Sequence, residues 1–434
     1  MTGSAQNAGR KRKIFTRYNR TTRTVCPSHP PWKPPPSPVF RGCFFSPLAY
    51  PAVCFHTLCS AMPYLPISTG ARGSPMPKTI KILGAGPAGL TAAIVLQKAG
   101  RQVQVYEKNR DVGRVFYGDL QGLENWSEER DVLEEFQALG LAVNFDCTSF
   151  SALTVFNGEK TWPFTSSRPV FYLIRRGAMA GSLDHGLKEQ ALAAGAAIFF
   201  ERSLAGHEAD IVATGPLVRH RFAIDKGIVF KTSLPDAAYG LVNDRAAYKG
   251  YAYLLFAKGY GCLCTVLFDR FSEVNRCLAE TERIFRKHVD FHLEDPKPVG
   301  GMGGFLLPPV FARNHGLLVG EAAGLQDMLW GFGIRSAVIS GALAAHSIIS
   351  GTSYPEAARR RFLGTQKAGL VNRYLWERLG YNNYSLIMDR IGRSGDHRTF
   401  FQDFYNLNLL HRLVYPFAFH SLKKRYNLVA GDAR

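Results

Sequence analysis

From Ile80 onward, apolar positions fall into short runs whose spacing switches between strand and helix periods. Ile80 to Leu83 reads as a buried strand, Pro87 to about Lys98 as a helix stopped by Gly100, and Gln102 to Tyr106 as a second strand. Thr154 to Phe164 alternates about Asn157-Gly158, the signal of a two-residue hairpin turn, and Tyr251 to Phe268 alternates about Lys258-Gly259. The second hairpin sets Tyr251, Tyr253 and Leu255 beside Cys262, Cys264, Val266 and Phe268. Ser272 to His288 has amphipathic helix spacing. Ala209 to Gly215 and Gly316 to Val319 read as short buried strands, the latter leading to a helix that starts near Gly331-Phe332-Gly333-Ile334. Small residues Ser336, Ala337, Ser340, Gly341 and Ala344 suit that helix to close packing. Tyr354 to Arg434 is helical in pattern and rich in aromatic and basic residues.

Residues 1–75 have no such period. They contain ten Lys/Arg, no Asp or Glu, Cys26, Cys43, Cys54 and Cys59, and a proline cluster, PPWKPPPSP. Three readings stay open: sequence that is not native coding, with Met76-Pro77-Lys78 as the ordinary start; a basic, acid-poor transit-type peptide; or a disordered basic arm. The net charge of +19 divides accordingly: +10 in 1–75, about +1 in 76–353 (29 basic, 28 acidic) and +8 in 354–434 (14 basic, 6 acidic). The balanced middle argues against nucleic acid as a partner of the body. Cys147, Cys262, Cys264 and Cys277 show neither CxxC nor metal spacing, so no metal is expected and the thiols read as reduced and mostly structural.

The chemistry concentrates at Gly84-Ala85-Gly86-Pro87-Ala88-Gly89. Gly84 permits a tight turn, Gly86 a close approach to a pyrophosphate, and Gly89 close helix–strand packing. The helix then offers its amide-rich N-terminus to the phosphates. Glu107, ending the second strand beside Lys108, is placed to accept the adenosine ribose hydroxyls. Glu321, in Gly320-Glu321-Ala322-Ala323-Gly324, is placed for a ribityl hydroxyl, and the amides beginning at Gly333 for the pyrimidine edge of a flavin. Gly113 to Trp126 reads as a loop over the flavin, with Arg114 toward the phosphates, and Gly300 to Gly304 as a flavin-proximal crossover.

From Lys78 to about Gly351 these motifs resemble the FAD-dependent family that contains geranylgeranyl reductases, related to aromatic-ring hydroxylases and flavin halogenases. Gly84, Gly86, Gly89 and Glu107 correspond to its ADP-binding motif, and Gly320 to Gly324 and Gly331 to Ile334 to its flavin-side motifs. Tyr172-Leu173-Ile174-Arg175-Arg176, with Met179 and Leu183, resembles its strand-to-helix element, whose spacing puts Arg176 rather than Arg175 near FAD. Glu321 replaces the family's usual Asp, and Met328 stands where a Pro is common.

The expected fold is α/β: a doubly wound, Rossmann-like FAD domain (76–118, 172–215 and 300–350), a smaller, mostly antiparallel sheet domain for substrate (119–171 and 216–299), and a helical C-terminus (351–434). The expected activity is hydride transfer from reduced flavin to a carbon–carbon double bond of an isoprenoid or lipid chain. A flavin monooxygenase or halogenase, and a non-enzymatic flavin electron carrier, are the alternatives. No catalytic acid is singled out, and the electron donor stays open between NAD(P)H and reduced ferredoxin. The reduced cysteines point to the cytoplasm. The C-terminal helices read either as a peripheral membrane contact or as a cap with a solvated basic face.

Overall fold

The computed structural model describes residues 78–216, 221–380 and 384–426; the extension expected at 1–75 lies outside them. A six-stranded sheet forms the nucleotide layer. In it β1 (Ile80–Leu83), β2 (Val103–Glu107), β8 (Ala197–Phe200), β9 (Ile211–Val212) and β16 (Gly316–Leu318) run parallel, and β15 (Ala312–Arg313) closes one edge antiparallel. Helix α1 (Pro87–Lys98) is apolar all round because it is covered all round: Ala88 to Leu96 are buried, with α3 (Leu183–Ala193) and α5 (Ile334–Ser350) packed on it. The small residues predicted for α5 are used here. A Cβ on Gly341 would lie 2.1 Å from the Ala88 carbonyl oxygen.

The second sheet has seven strands in the order β14 (Glu294–Gly304), β10 (Arg221–Lys231), β13 (Tyr260–Leu267), β12 (Tyr251–Ala257), β11 (Ala237–Leu241), β5 (Ala152–Phe156) and β6 (Thr161–Thr165). Every pair is antiparallel except β5 with β11. The β12–β13 hairpin turns on Lys258-Gly259 as predicted, with φ of 49° and 81° at the two central residues, and it pairs Tyr253 with Cys264 and Leu255 with Cys262. The β5–β6 hairpin differs from expectation: its loop is Asn157 to Lys160, not two residues. The Asn157 carboxamide oxygen accepts from the amides of Glu159 (3.0 Å) and Lys160 (2.8 Å), closing a longer side-chain-capped turn.

Two glycine-rich segments expected as a loop and a crossover are strands. Tyr117–Glu124 is β3, which pairs with β7 (Phe171–Gly177); with β4 (Cys147–Phe150) they form a three-stranded sheet. Gly118, at φ 99°, sits in a register shift, and Gly122 is small because a Cβ there would meet the Phe332 ring at 2.4 Å. Gly300 to Gly304 end β14, so that strand crosses the boundary expected at residue 300. Its glycines serve close approach: a Cβ on Gly300 would lie 2.8 Å from the Asp225 carbonyl oxygen.

β3 packs on β10, β12, β13 and β14, so the small and large sheets face each other. Helices α2 (Val132–Ala138) and α4 (Val274–Phe285) flank the body; α4 follows a short 3-10 turn, Phe271–Glu273. The C-terminal region forms α6 (Tyr354–Leu379), α7 (Ser385–Gly392), α8 (His397–Tyr405) and α9 (Leu409–Tyr426). Asp389 on α7 accepts from Trp162 Nε1 at 2.7 Å, and Asp396 before α8 accepts from the Ser167 amide at 2.9 Å, which ties these helices to the β6 end of the large sheet. Among the described residues no helix is long and apolar enough to cross a membrane.

Candidate functional site

Two of the constraints predicted for the glycine turn between β1 and α1, at Gly84 and Gly89, are visible in its packing. Gly84 holds φ at 103°, and a Cβ there would lie 2.3 Å from the Ala213 carbonyl oxygen. A Cβ on Gly89 would lie 2.0 Å from the Gly84 oxygen, so helix and turn touch. Gly86 is different: a Cβ there would meet no protein atom within 4 Å, because the residue faces the main cavity. Pro87 opens α1 at the first turn, where its missing N–H costs nothing.

Glu107 at the end of β2 is buried, and both oxygens are engaged. One accepts the Ala85 amide at 2.9 Å; the other accepts the Asn109 amide at 2.9 Å and its side-chain Nδ2 at 2.7 Å. The carboxylate thus braces the glycine turn, and the oxygen that accepts only the Ala85 amide keeps lone-pair capacity for a further donor. Lys108 and Arg114 line the same end of the cavity.

Gly320 to Ala323 form a 3-10 turn begun at φ 59° and closed by Gly324 at φ 80°, and a Cβ on Gly320 would lie 3.2 Å from the Ala88 Cβ at the start of α1. The Gly320 amide donates to Ser340 Oγ at 2.9 Å, fixing the turn to α5. Glu321 points between the Thr214-Gly215 strand end and Gly333. Burial pushes its pKa up to about 7, against the attraction of Arg176 and with the repulsion of Asp225.

Gly331 takes φ 77°, and Gly333 caps α5, whose first residue is Ile334. The loop is held from beneath: the Gly331 amide donates to the Asp327 carbonyl at 3.0 Å, Gln326 Nε2 donates to the Gly331 carbonyl at 2.9 Å, and Tyr251 OH donates to the Trp330 carbonyl. Phe332 stands edge-on to Trp126 with ring centroids 4.8 Å apart. Gln326 Oε1 is buried with no hydrogen-bond partner among the described residues. Met328, where the family pattern has Pro, is buried in a cluster with Phe305 and Leu307 rather than facing the cavity.

Of the two arginines on β7, Arg176 lines the cavity and Arg175 does not; Arg175 pairs with Asp146 at 2.8 Å. Arg176 is itself committed, reaching Asp184 through Nε at 2.8 Å and Nη2 at 2.9 Å and Gln121 through Nη1 at 2.9 Å. This is a forked ion pair between buried groups. It leaves Asp119, Asp225 and Glu321 as an acidic group around the Arg176–Asp184 pair. Burial raises the Asp119 pKa, despite a 2.8 Å bond from the Tyr117 amide. Burial, with Asp119 nearby, raises Asp225 to about 6; the Gly301 amide opposes the rise.

Asp225 is the functional candidate that motif spacing does not single out. Its signal in the sequence is a carboxylate, beside Lys226, between the apolar runs Phe222-Ala223-Ile224 and Ile228-Val229-Phe230. The cause of its placement is across the sheet: Gly301, its partner on β14, has no side chain, and a Cβ there would lie 2.9 Å from Asp225 Oδ1.

Glu107, Arg176, Asp184, Asp225, Glu321 and the loop from Gly331 to Gly333 line one cavity of about 1150 Å³. That is larger than the roughly 300–1,000 Å³ typical of a single small-molecule site. Its far end is apolar, walled by Tyr253 and Leu255 of β12, Phe164 of β6, Met388 and Ile391 of α7 and Phe401 of α8. The cysteines do not enter as reactive groups: Cys262 and Cys264 are buried, and burial raises both thiols.

A family model described as an NAD(P)-binding Rossmann-like domain matches residues 82–125. No curated protein matches the sequence. Solved structures match over nearly the whole described body. A geranylgeranyl bacteriochlorophyll reductase-like protein from Thermoplasma acidophilum is 19% identical with a TM-score of 0.57, covering 80% of this chain and 99% of its own. The flavin-dependent brominase Bmp2 is 16% identical with a TM-score of 0.55, covering 80% of this chain and 100% of its own. The flavin-dependent halogenase CmlS is 18% identical with a TM-score of 0.51, covering 81% of this chain and 79% of its own. The chain therefore has the fold of these flavin-dependent and reductase-like proteins, a Rossmann-like nucleotide layer joined to a second, mostly antiparallel sheet and a helical C-terminus.

Proposed function

We propose that the chain is an FAD-dependent oxidoreductase that reduces a carbon–carbon double bond in an apolar, isoprenoid-type chain. The observation that carries this reading is the single cavity, which joins the glycine turn and Glu107 to an apolar chamber. FAD fits the groups present: Gly86 faces open space at the N-terminus of α1, Glu107 keeps acceptor capacity for ribose, and Gln326 Oε1 is a buried acceptor without a hydrogen-bond partner among the described residues. In this cavity Lys108 and Arg114 would supply positive charge to the phosphates, Glu321 would hydrogen-bond the ribityl segment, and Gly331 to Ile334 would hold the ring. Arg176 acts by holding Asp184 and Gln121 in place.

Bound and reduced, FAD supplies a hydride at N5. The amides at the start of α5 would stabilise negative charge on the pyrimidine edge of a reduced flavin held there. Asp225, on the cavity wall, holds a proton on its carboxyl group below about pH 6 and would donate it to the substrate carbon next to the one reduced, to be reprotonated from solvent. Tyr253, Leu255 and Phe164 keep bulk water from the substrate end.

The test is single turnover under argon. Photoreduced holoprotein mixed with a polyprenyl lipid should reoxidise and yield a product two hydrogens heavier. A product that forms only with oxygen, hydroxylated or halogenated, would assign the site to the monooxygenase or halogenase chemistry instead.

A further inference from the structure

Helix α9, Leu409–Tyr426, presents to solvent the kind of face that globular proteins ordinarily bury. Leu409, Leu410, Leu413 and Phe417 are 72%, 59%, 63% and 71% exposed. At 3.6 residues per turn these four positions fall within an arc of about 100°. The opposite face is firmly seated: His411, Ala418 and Leu422 are buried, and His411 Nε2 lies 3.0 Å from Asn372 Oδ1 on α6. Arg425 reaches Glu377 at 2.8 Å and Asp269 at 2.7 Å. The apolar stripe is therefore held outward by a helix fixed along its length.

Charge selects what the stripe meets. α9 contains no Asp or Glu. Lys424 continues the arc of the apolar residues toward the C-terminal end, and Arg412 and Lys423 flank it on one side. All three are exposed, and none has a carboxylate within 4 Å among the described residues. Lys423 lies over the Phe419 ring, 5.8 Å from its centroid, but cations without a carboxylate partner beside an apolar stripe match a surface that offers anionic groups above a hydrocarbon layer. A second copy docked on this face would bring no acid from its own α9 to meet Lys423 and Lys424.

We infer that α9 is a docking surface for a bilayer of anionic phospholipid, with Leu409, Leu410, Leu413 and Phe417 entering the interface and Arg412, Lys423 and Lys424 contacting the headgroups. This inference is independent of the flavin chemistry. Failure of vesicle binding leaves the oxidoreductase reading standing, and the reverse holds.

The experiment is co-sedimentation of the full-length holoprotein with sucrose-loaded vesicles of phosphatidylglycerol or of phosphatidylcholine. The wild type should pellet with phosphatidylglycerol, bind phosphatidylcholine far less, and be released by high salt. Lys423→Gln with Lys424→Gln should weaken binding about five-fold per charge. Leu413→Ser with Phe417→Ser should remove it. Both double variants change exposed side chains, so flavin content and far-UV circular dichroism should match the wild type. The inference is overturned if the wild type stays in the supernatant with phosphatidylglycerol, or if both vesicle types bind it equally. It is also overturned if the serine variant converts a dimer to a monomer in sedimentation velocity while vesicle binding is unchanged.

Discussion

Replacing Glu107 with glutamine preserves the shape of the side chain and separates two of its jobs. Both carboxylate oxygens accept protein donors, one from the Ala85 amide and the other from Asn109. A carboxamide has only one acceptor atom, so whichever way it turns, its NH2 group faces an N–H. One buried donor then loses its partner, at a cost of about 1–3 kcal/mol to the folded apoprotein. The bonds to the ribose hydroxyls are a separate quantity. Glutamine keeps part of them but loses the charge, whereas Glu107→Ala loses all of them, a loss of about 1.5–3 kcal/mol or roughly 10- to 150-fold in FAD affinity. Urea denaturation of the apoprotein reads the first effect and quenching of FAD fluorescence on titration reads the second. Glutamine should cost nearly as much stability as alanine while weakening FAD less. Wild-type stability and wild-type affinity in both variants would refute the role given to this carboxylate.

Other substitutions divide binding from folding. Gly86→Val should leave the apoprotein folded, since no protein atom lies within 4 Å of the added Cβ, yet abolish retention of FAD after dialysis; Gly89→Val should instead prevent soluble folding, because its Cβ would overlap the Gly84 carbonyl. Asp225→Asn should slow anaerobic flavin reoxidation by a polyprenyl lipid by about 10²–10⁴-fold with FAD content unchanged. In the wild type that rate should fall as pH rises through about 6, where Asp225 gives up its proton, and the asparagine variant should lose this inflection. The folded pKa of Glu321 is raised from 4.5 to about 7, so the neutral form is the one the apoprotein favours. Its contribution to stability is full below the unfolded value and is lost as pH rises through the folded one. The apoprotein Tm should therefore drop between pH 4.5 and about 7, and Glu321→Gln should flatten that slope.

The nucleotide end of the site was legible in the sequence because its logic is local. Gly84, Gly86, Gly89 and Glu107 lie within one strand–helix–strand unit, and the turn, the helix start and the strand end are neighbours along the chain as well as in space. The same holds for Lys258-Gly259, whose positive φ angles belong to the turn itself. Where the reason for a residue lies far along the chain, pattern reading fails. Gly122 looks like a loop glycine but is a strand residue that makes room for Phe332, and Gly301 looks like a crossover glycine but makes room for the Asp225 carboxylate. Asn157-Gly158 announces a hairpin correctly, yet the Asn157 side chain captures two following amides and lengthens the loop. Arg176 was placed at the cavity by its spacing from Tyr172, while its commitment to Asp184 depends on the first turn of α3. The apolar chamber was visible only as alternation along β12 and β13; its closure by α7 and α8 is tertiary packing.

The central claim is that this cavity carries out reduction at an apolar double bond without oxygen. Stopped-flow absorbance of the photoreduced holoprotein, mixed with a polyprenyl lipid in anaerobic and in aerated buffer, tests it most directly. The account predicts lipid-dependent return of the oxidised flavin spectrum under anaerobic conditions, together with a product two hydrogens heavier. A reduced spectrum that persists with lipid until oxygen is admitted, followed by an oxygen-adduct intermediate and an oxygenated or halogenated product, would contradict it.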